Sequence, residues 1–379
     1  MASSKLPNIG TTIFTVMSKM ADEYGAINLS QGFPDFDVSE QLIALVNQAM
    51  RSGNNQYAPM PGLSVLRDSI ADSLQNTYSW DGDVDKEITV TGGATEALYS
   101  CITAFIHPGD EVIILEPAYD SYIPAIQLSG GKALPVQLNP VNFSVPWESV
   151  KEAITPRTRM IMINSPHNPT GAILRHEDLI ELEKIAVLND LLVLSDEVYD
   201  RIIFDNEKHE SVLRFPELWK RSMAVFSFGK TFHVTGWKVG YVVAPEHLTS
   251  EIRKIHQFLN FSVNTPVQHG LAQYLKKKEN YEDLHFFYEK KRDLFLKFIA
   301  PSRFIPIKSS GTYFQLLSYA GIFEENEYDL AVRMTQEFKV ACIPVSVFYS
   351  DHQNNHLLRF CFAKKDETLE RAAEILCRI

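Results

Sequence analysis

The stretch Met223-Ala-Val-Phe-Ser-Phe-Gly-Lys230-Thr-Phe-His-Val-Thr-Gly236-Trp-Lys238-Val-Gly-Tyr-Val-Val-Ala244 sets two nearly all-apolar runs, Met223–Phe228 and Val239–Ala244, around a loop carrying two lysines and two glycines. Neither run alternates apolar with polar residues. Both faces of each strand are therefore expected to be buried, as in a parallel sheet covered by helices rather than a half-solvated antiparallel one. Four runs of the same kind precede them, Ile88–Thr91, Glu111–Leu115, Met160–Asn164 and Leu191–Ser195. Helical patterns fill the intervals. Ala94–Ile106 follows the first run, and Glu177–Asn189 carries Leu179, Leu182, Ile185 and Ala186 on one stripe. Crossovers of this type are right-handed and bury the sheet, so the centre of the chain reads as an α/β core.

After Pro245 the texture changes to long charged helical stretches, His247–Lys278 and Asn280–Ile299. Short strand-like pieces return at Phe304–Ile307, Thr312–Leu317, Val340–Pro344 and Leu357–Ala363, and a final helix is expected over Asp366–Arg378. This C-terminal part reads as a smaller α+β unit.

With 379 residues the chain is long enough for two or three domains at about 150 residues each. Its 36 Lys and Arg against 47 Asp and Glu leave a net charge of −11, which argues against nucleic acid or an anionic membrane surface as partner. Cys101, Cys342, Cys361 and Cys377 have no C-x-x-C spacing and are too sparse for a disulfide framework. Free thiols and no metal are expected. No uninterrupted secretory h-region opens the chain, and no apolar run approaches the roughly 18 to 20 residues that span a bilayer, so a cytoplasmic location is expected.

Gly229-Lys230-Thr231 after a strand does not make a P-loop, because the position five before Gly229 is Ala224. Gly92-Gly93 before a helix lacks the G-x-G-x-x-G spacing of a dinucleotide site. A coherent set remains, each member at or just beyond the C-terminal end of an apolar strand, the edge where open α/β sheets bind ligands. It comprises Gly93-Ala94-Thr95, Tyr119, Asn168, Asp196, Tyr199, Ser227, Lys230 and Lys238. Singly each has an ordinary explanation: Asn168-Pro-Thr-Gly171 as a turn, Asp196 as a strand-end cap, the lysines as solvated surface. Together they supply a helix N-terminus for a phosphate, a buried anion for a cationic ring nitrogen, and a desolvated amine suited to imine formation. Those are the parts needed to hold pyridoxal phosphate.

Ser227-Phe-Gly-Lys230-Thr-Phe-His-Val-Thr-Gly236-Trp-Lys238-Val-Gly240 closely resembles the cofactor-lysine signature of the class I/II pyridoxal-phosphate-dependent aminotransferases of fold type I. Asn168-Pro-Thr-Gly171 and Asp196-Glu-Val-Tyr199 match two further motifs of that family in its order, and Asn28-Leu-Ser-Gln-Gly-Phe-Pro-Asp-Phe36, Gln56-Tyr57 and Leu358-Arg359-Phe-Cys-Phe362 extend the likeness. Within the family the chain looks most like the methionine, kynurenine and glutamine aminotransferase branch, and Asn55-Gln-Tyr-Ala-Pro-Met60 and Asn260-Phe-Ser-Val-Asn-Thr-Pro266 look particularly like bacterial methionine aminotransferases.

The resemblance implies a large domain over 41–289, with a mostly parallel seven-stranded sheet between helices, and a small α+β domain made of 1–40 and 290–379. It implies that Lys230 binds the cofactor and moves the proton between the substrate α-carbon and the cofactor C4′. Asp196 would pair with the pyridinium nitrogen, Asn168 and Tyr199 with the phenolic oxygen, and Tyr119 would stack on the ring. Gly93, Ala94, Thr95, Ser227 and Lys238 would hold the phosphate, joined by Tyr57 from the second subunit of a homodimer. Arg359 would grip the substrate carboxylate, with Gly32 and Asn168 nearby. Three departures stand out. Gly229 replaces a serine common among relatives, although this branch often has glycine there, Phe14 stands where the branch often has Trp against the substrate side chain, and Val263-Asn264 stand where some relatives have Phe-His. The activity implied is ping-pong transfer of an amino group from methionine, aromatic amino acids including kynurenine, or glutamine to a 2-oxo acid. β-Elimination as a carbon–sulfur lyase at the same site is the alternative. A ligand-responsive binding module is a third reading, disfavoured by the charge and by the lack of a DNA-binding extension.

Overall fold

The computed structural model describes residues 3–379, so the first two residues of the expected 1–40 segment lie outside the described residues. Seven strands form the main sheet: β1 (Ile88–Thr91), β2 (Glu111–Glu116), β3 (Lys132–Gln137), β4 (Thr158–Asn164), β5 (Leu192–Asp196), β6 (Ser222–Ser227) and β7 (Gly240–Val243). Their order is β1-β7-β6-β5-β4-β2-β3. Pairing is parallel from β6 across to β3, while β7 runs antiparallel to both β6 and β1. Every residue of β1, β2 and β7 is buried, which is why these runs show no alternation.

The register positions the site. The loop 228–239 returns the chain so that Gly240 pairs with Ser227 on one side and Thr91 on the other. Asp196 pairs with Val225 and Asn164 with Asp196 across the neighbouring strands. One edge of the sheet thus gathers the ends of β1, β4, β5 and β6. Gly240 must lack a side chain, since a Cβ there would lie 2.6 Å from the Phe226 carbonyl and 2.9 Å from the Ala94 nitrogen. That close approach seats the helix Ala94–Phe105 against the sheet, N-terminus toward the shared edge.

The second sheet is antiparallel: β8 (Ile305–Pro306), β9 (Phe314–Ser318), β10 (Ile343–Pro344) and β11 (Leu357–Cys361), in the order β10-β11-β9-β8. The chain's N-terminal segment docks here. Ile27–Asn28 pairs in parallel with Val340–Ala341, and Cys361 donates its backbone N–H to the Leu29 carbonyl at 2.8 Å.

Four sequence expectations change. β3 was absent from the apolar runs, because as an edge strand it is half exposed and contains Lys132 and Pro135; a proline costs no ladder bond on an edge. His247–Lys278 is two helices, Glu246–Leu259 and Thr265–Leu275. The break falls where Phe261 takes φ 66° and the Asn264 side chain caps a new first turn containing Pro266. Val340–Pro344 divides at Cys342 between the parallel pair and the second sheet. The expected helix from Asn280 begins at Leu284, after a single turn at Lys278–Asn280.

Candidate active site

A cleft of about 250 Å³ lies over the shared edge of the main sheet. It is lined by Phe14, Gly32, Gly93, Ala94, Thr95, Tyr119, Asn168, Asp196, Tyr199, Ser227, Lys230, Lys238 and Arg359, every residue singled out from the sequence except Tyr57. The carboxyl ends of the parallel strands meet here and their connections leave toward helices on the sheet's faces, so a crevice opens where polar side chains collect without disturbing the core.

Asp196 ends β5 on the cleft floor and is 4% exposed. Burial pushes its carboxyl up to about 6, opposed chiefly by the Tyr122 hydroxyl, which donates to Oδ2 at 2.6 Å. The Asp196 carbonyl receives Asn164 Nδ2 at 2.8 Å, and Asn164 Oδ1 accepts the Asn168 N–H at 2.8 Å. Asn164 therefore locks the turn that presents Asn168. Asn168 Oδ1 in turn accepts from Arg359 Nη1 at 2.7 Å, and Arg359 Nη2 donates to the Ser30 carbonyl at 3.0 Å.

Arg359 is 1% exposed and its Nε is buried without a partner. Its guanidinium lies 3.9 Å from the Phe314 ring centroid, 5.1 Å from Phe14 and 5.4 Å from Phe348. Burial lowers its pKa to about 10, so it stays cationic at neutral pH. A cation held among rings with an unused donor is built to receive an anion.

Lys230 sits in a single turn, Phe228–Thr231, directly after β6. Burial lowers its amine to about 8, with Arg359 and Lys238 acting in the same direction and Cys361 and Asp196 against it. Nζ donates to the Tyr313 hydroxyl at 2.9 Å and stands 5.4 Å from the Tyr199 ring centroid. An amine with this pKa is partly neutral near pH 7 and can act as nucleophile or base.

The other end of the cleft suits an anion. Gly93, with φ 88°, opens the helix Ala94–Phe105, and the Lys238 Nζ lies 3.3 Å from where a Cβ on Gly93 would be. Backbone N–H groups and an ammonium meet where the helix dipole is positive. A Cβ on Gly229 would lie only 3.0 Å from the Thr235 Cα, so a side chain there would press on the loop.

Residues 24–376 match the family of class I and II aminotransferases. The chain belongs to this family. It is 47% identical to a methionine aminotransferase of Escherichia coli (strain K12), over 98% of this chain and 97% of that one. A kynurenine–oxoglutarate transaminase of Dictyostelium discoideum is 31% identical over 100% and 96% of the two chains. The solved structure of an Escherichia coli protein with a methionine aminotransferase function superposes with a TM-score of 0.98 at 46% identity, covering 100% of both chains. The protein is accordingly a transaminase, with an amino acid and a 2-oxo acid as substrates.

In this aminotransferase Tyr57 is 83% exposed and lies outside the cleft, its ring edge-on to Phe261 at 5.5 Å. Besides Asn164, four further residues that sequence reasoning did not single out belong to the site. Tyr122 braces Asp196, Tyr313 receives Lys230, and Phe314 and Phe348 flank Arg359. For Tyr122 a signal existed, since it falls three residues after Tyr119. The other three come from the second sheet and its loops, where no local motif marks them. Among the described residues no helix is long and apolar enough to cross a membrane.

Proposed function

We propose that this transaminase uses pyridoxal phosphate and takes its amino group from methionine and other amino acids with uncharged, apolar or aromatic side chains. The observation that carries the reading is one cleft with a buried carboxylate on its floor, a depressed lysine beside it, and cationic ends at Gly93–Lys238 and Arg359. A phosphorylated pyridine fits that donor set. Gly93, Ala94, Thr95, Ser227 and Lys238 would hold its phosphate, Asp196 its ring nitrogen, Asn168 and Tyr199 its phenolic oxygen, and Tyr119 its face. When bound, the cofactor supplies an electron-withdrawing ring that acidifies the amino acid's α-carbon.

The chain's own residues do the rest. Arg359, oriented by Asn168 and the Ser30 carbonyl, binds the substrate carboxylate and fixes the α-carbon near Lys230. Lys230 takes the α-proton in its neutral form and returns it as an ammonium. Asp196, braced by Tyr122, is held anionic at neutral pH and keeps a proton on the ring nitrogen.

For the side chain, Phe14, Tyr119 and Phe348 offer apolar surface beside Arg359. Among the described residues the cations lining the cleft are Lys230, Lys238 and Arg359, with no second arginine there for a dicarboxylate. A panel of amino donors with a common 2-oxo acid tests the assignment. Methionine should exceed aspartate in kcat/KM by about tenfold or more; equal or better turnover of aspartate refutes it. The relatives described above are all transaminases, and nothing favours the lyase alternative.

The same proposal includes division into 41–289 and 1–40 with 290–379, supported by the separate sheets and by the docking of Ile27–Leu29 on Val340–Ala341 and Cys361. It includes a homodimer in which Tyr57 reaches the partner's phosphate site. A cytoplasmic location is supported by four free cysteines, three of them buried.

A further inference from the structure

We propose that Tyr313 is the positioning residue of the Lys230 amine, tying it to the same backbone segment that braces Arg359. The Tyr313 side chain is fully buried, and its hydroxyl lies 2.6 Å from the Gly32 carbonyl and 2.9 Å from Lys230 Nζ. A phenol has one proton, and a carbonyl oxygen can only accept. The Tyr313 proton is therefore committed to Gly32, and its oxygen accepts from Lys230. An ammonium donates more strongly than a neutral amine, so this arrangement favours the protonated lysine.

The approach depends on residue 32 being glycine, since a Cβ there would lie 2.7 Å from Phe314 Cζ and 3.3 Å from Tyr313 Cε2. Two residues earlier, the Ser30 carbonyl receives Arg359 Nη2 at 3.0 Å. The groups assigned to the substrate's carboxylate and to its α-proton thus lean on one short backbone run.

The groups facing Lys230 are Asp196 at the end of β5, Arg359 and Cys361 on β11, Lys238 from the loop before β7, and the rings of Tyr199 and Tyr313. Burial depresses the amine, Asp196 and Cys361 oppose that depression, and Arg359 and Lys238 reinforce it. Tyr313 opposes it from a fixed direction, which keeps the lysine's titration close to neutral pH and its nitrogen in one place.

The inference rests on Lys230 being the reactive amine, and the experiment separates the two. In cofactor-free protein, trace acetylation with acetic anhydride, quantified at the Lys230 peptide across pH, reads the amine's titration midpoint. The midpoint is expected at about 8 in the unaltered chain. In Tyr313→Phe it should fall by about one pH unit; an unchanged or raised midpoint overturns the inference. If Tyr313→Phe does not fold, 3-fluorotyrosine at 313 keeps the shape with a poorer acceptor oxygen, and the midpoint should fall in the same direction by less, with no change again overturning it. Borohydride trapping of cofactor on the unaltered enzyme gives the control. An adduct elsewhere defeats the Lys230 assignment, whereas an adduct on Lys230 with an immobile midpoint in the variant defeats the role of Tyr313 alone.

Discussion

Asp196 is placed where folding and chemistry make opposite demands. Its pKa of about 6 stands above the ordinary 3.8 because the carboxyl is buried. Between those values the folded protein binds more protons than the unfolded chain, so stability falls as pH rises through that window. Asp196→Asn removes the buried charge. In cofactor-free protein at pH 7 it should raise stability by about 1–2 kcal/mol, seen as a higher Tm, while transamination falls roughly 100-fold or more. A lower Tm, or activity within a few-fold of the unaltered enzyme, would count against the assignment. Asp196, Lys230 and Asn168 were legible in the sequence because each stands in a local motif at a strand end. Tyr313 was not, because its link to Lys230 joins residues 83 apart in the chain and exists only once the second sheet has docked.

At the scale of elements, the site depends on the triple register of Thr91, Gly240 and Ser227. Gly240→Ala forces a Cβ to within 2.6 Å of the Phe226 carbonyl and 2.9 Å of the Ala94 nitrogen. Either β6 or the helix Ala94–Phe105 must move. The expected cost is about 1–3 kcal/mol of stability, with weaker retention of pyridoxal phosphate, measured by thermal unfolding and by cofactor titration. Unchanged values in both would show that the helix is not held by this contact. Buried strands on both faces announce themselves as apolar runs, which is why six of the main-sheet strands were readable. β3 escaped because solvent on its edge removes that signal, and the break at Phe261–Asn264 escaped because an apolar and a polar residue alike continue a helical pattern until a cap and a proline are weighed together. The division of Val340–Pro344 between two sheets reflects partners on opposite sides, Ile27–Asn28 and β11, which no local pattern encodes.

At the scale of the molecule, an acidic chain of net charge −11 concentrates three cations around one cleft, so small anions are drawn to a site that polyanions are not. The exposed side chains of Tyr57, Phe258 and Phe261, at 83%, 85% and 45%, mark the face on which a second copy is proposed to sit. Light scattering should give a dimer, and Tyr57→Ala, although remote from its own cleft, should weaken cofactor binding by roughly tenfold; a fully active monomer would contradict the shared site. Function turns on one lysine of this chain, proposed to carry the cofactor. Borohydride reduction of the holoenzyme, followed by intact mass and peptide mapping, tests it most directly. One pyridoxyl adduct per chain is expected, on Lys230 and absent from Lys230→Ala; an adduct on any other lysine, or none at all, would overturn the assignment of Lys230.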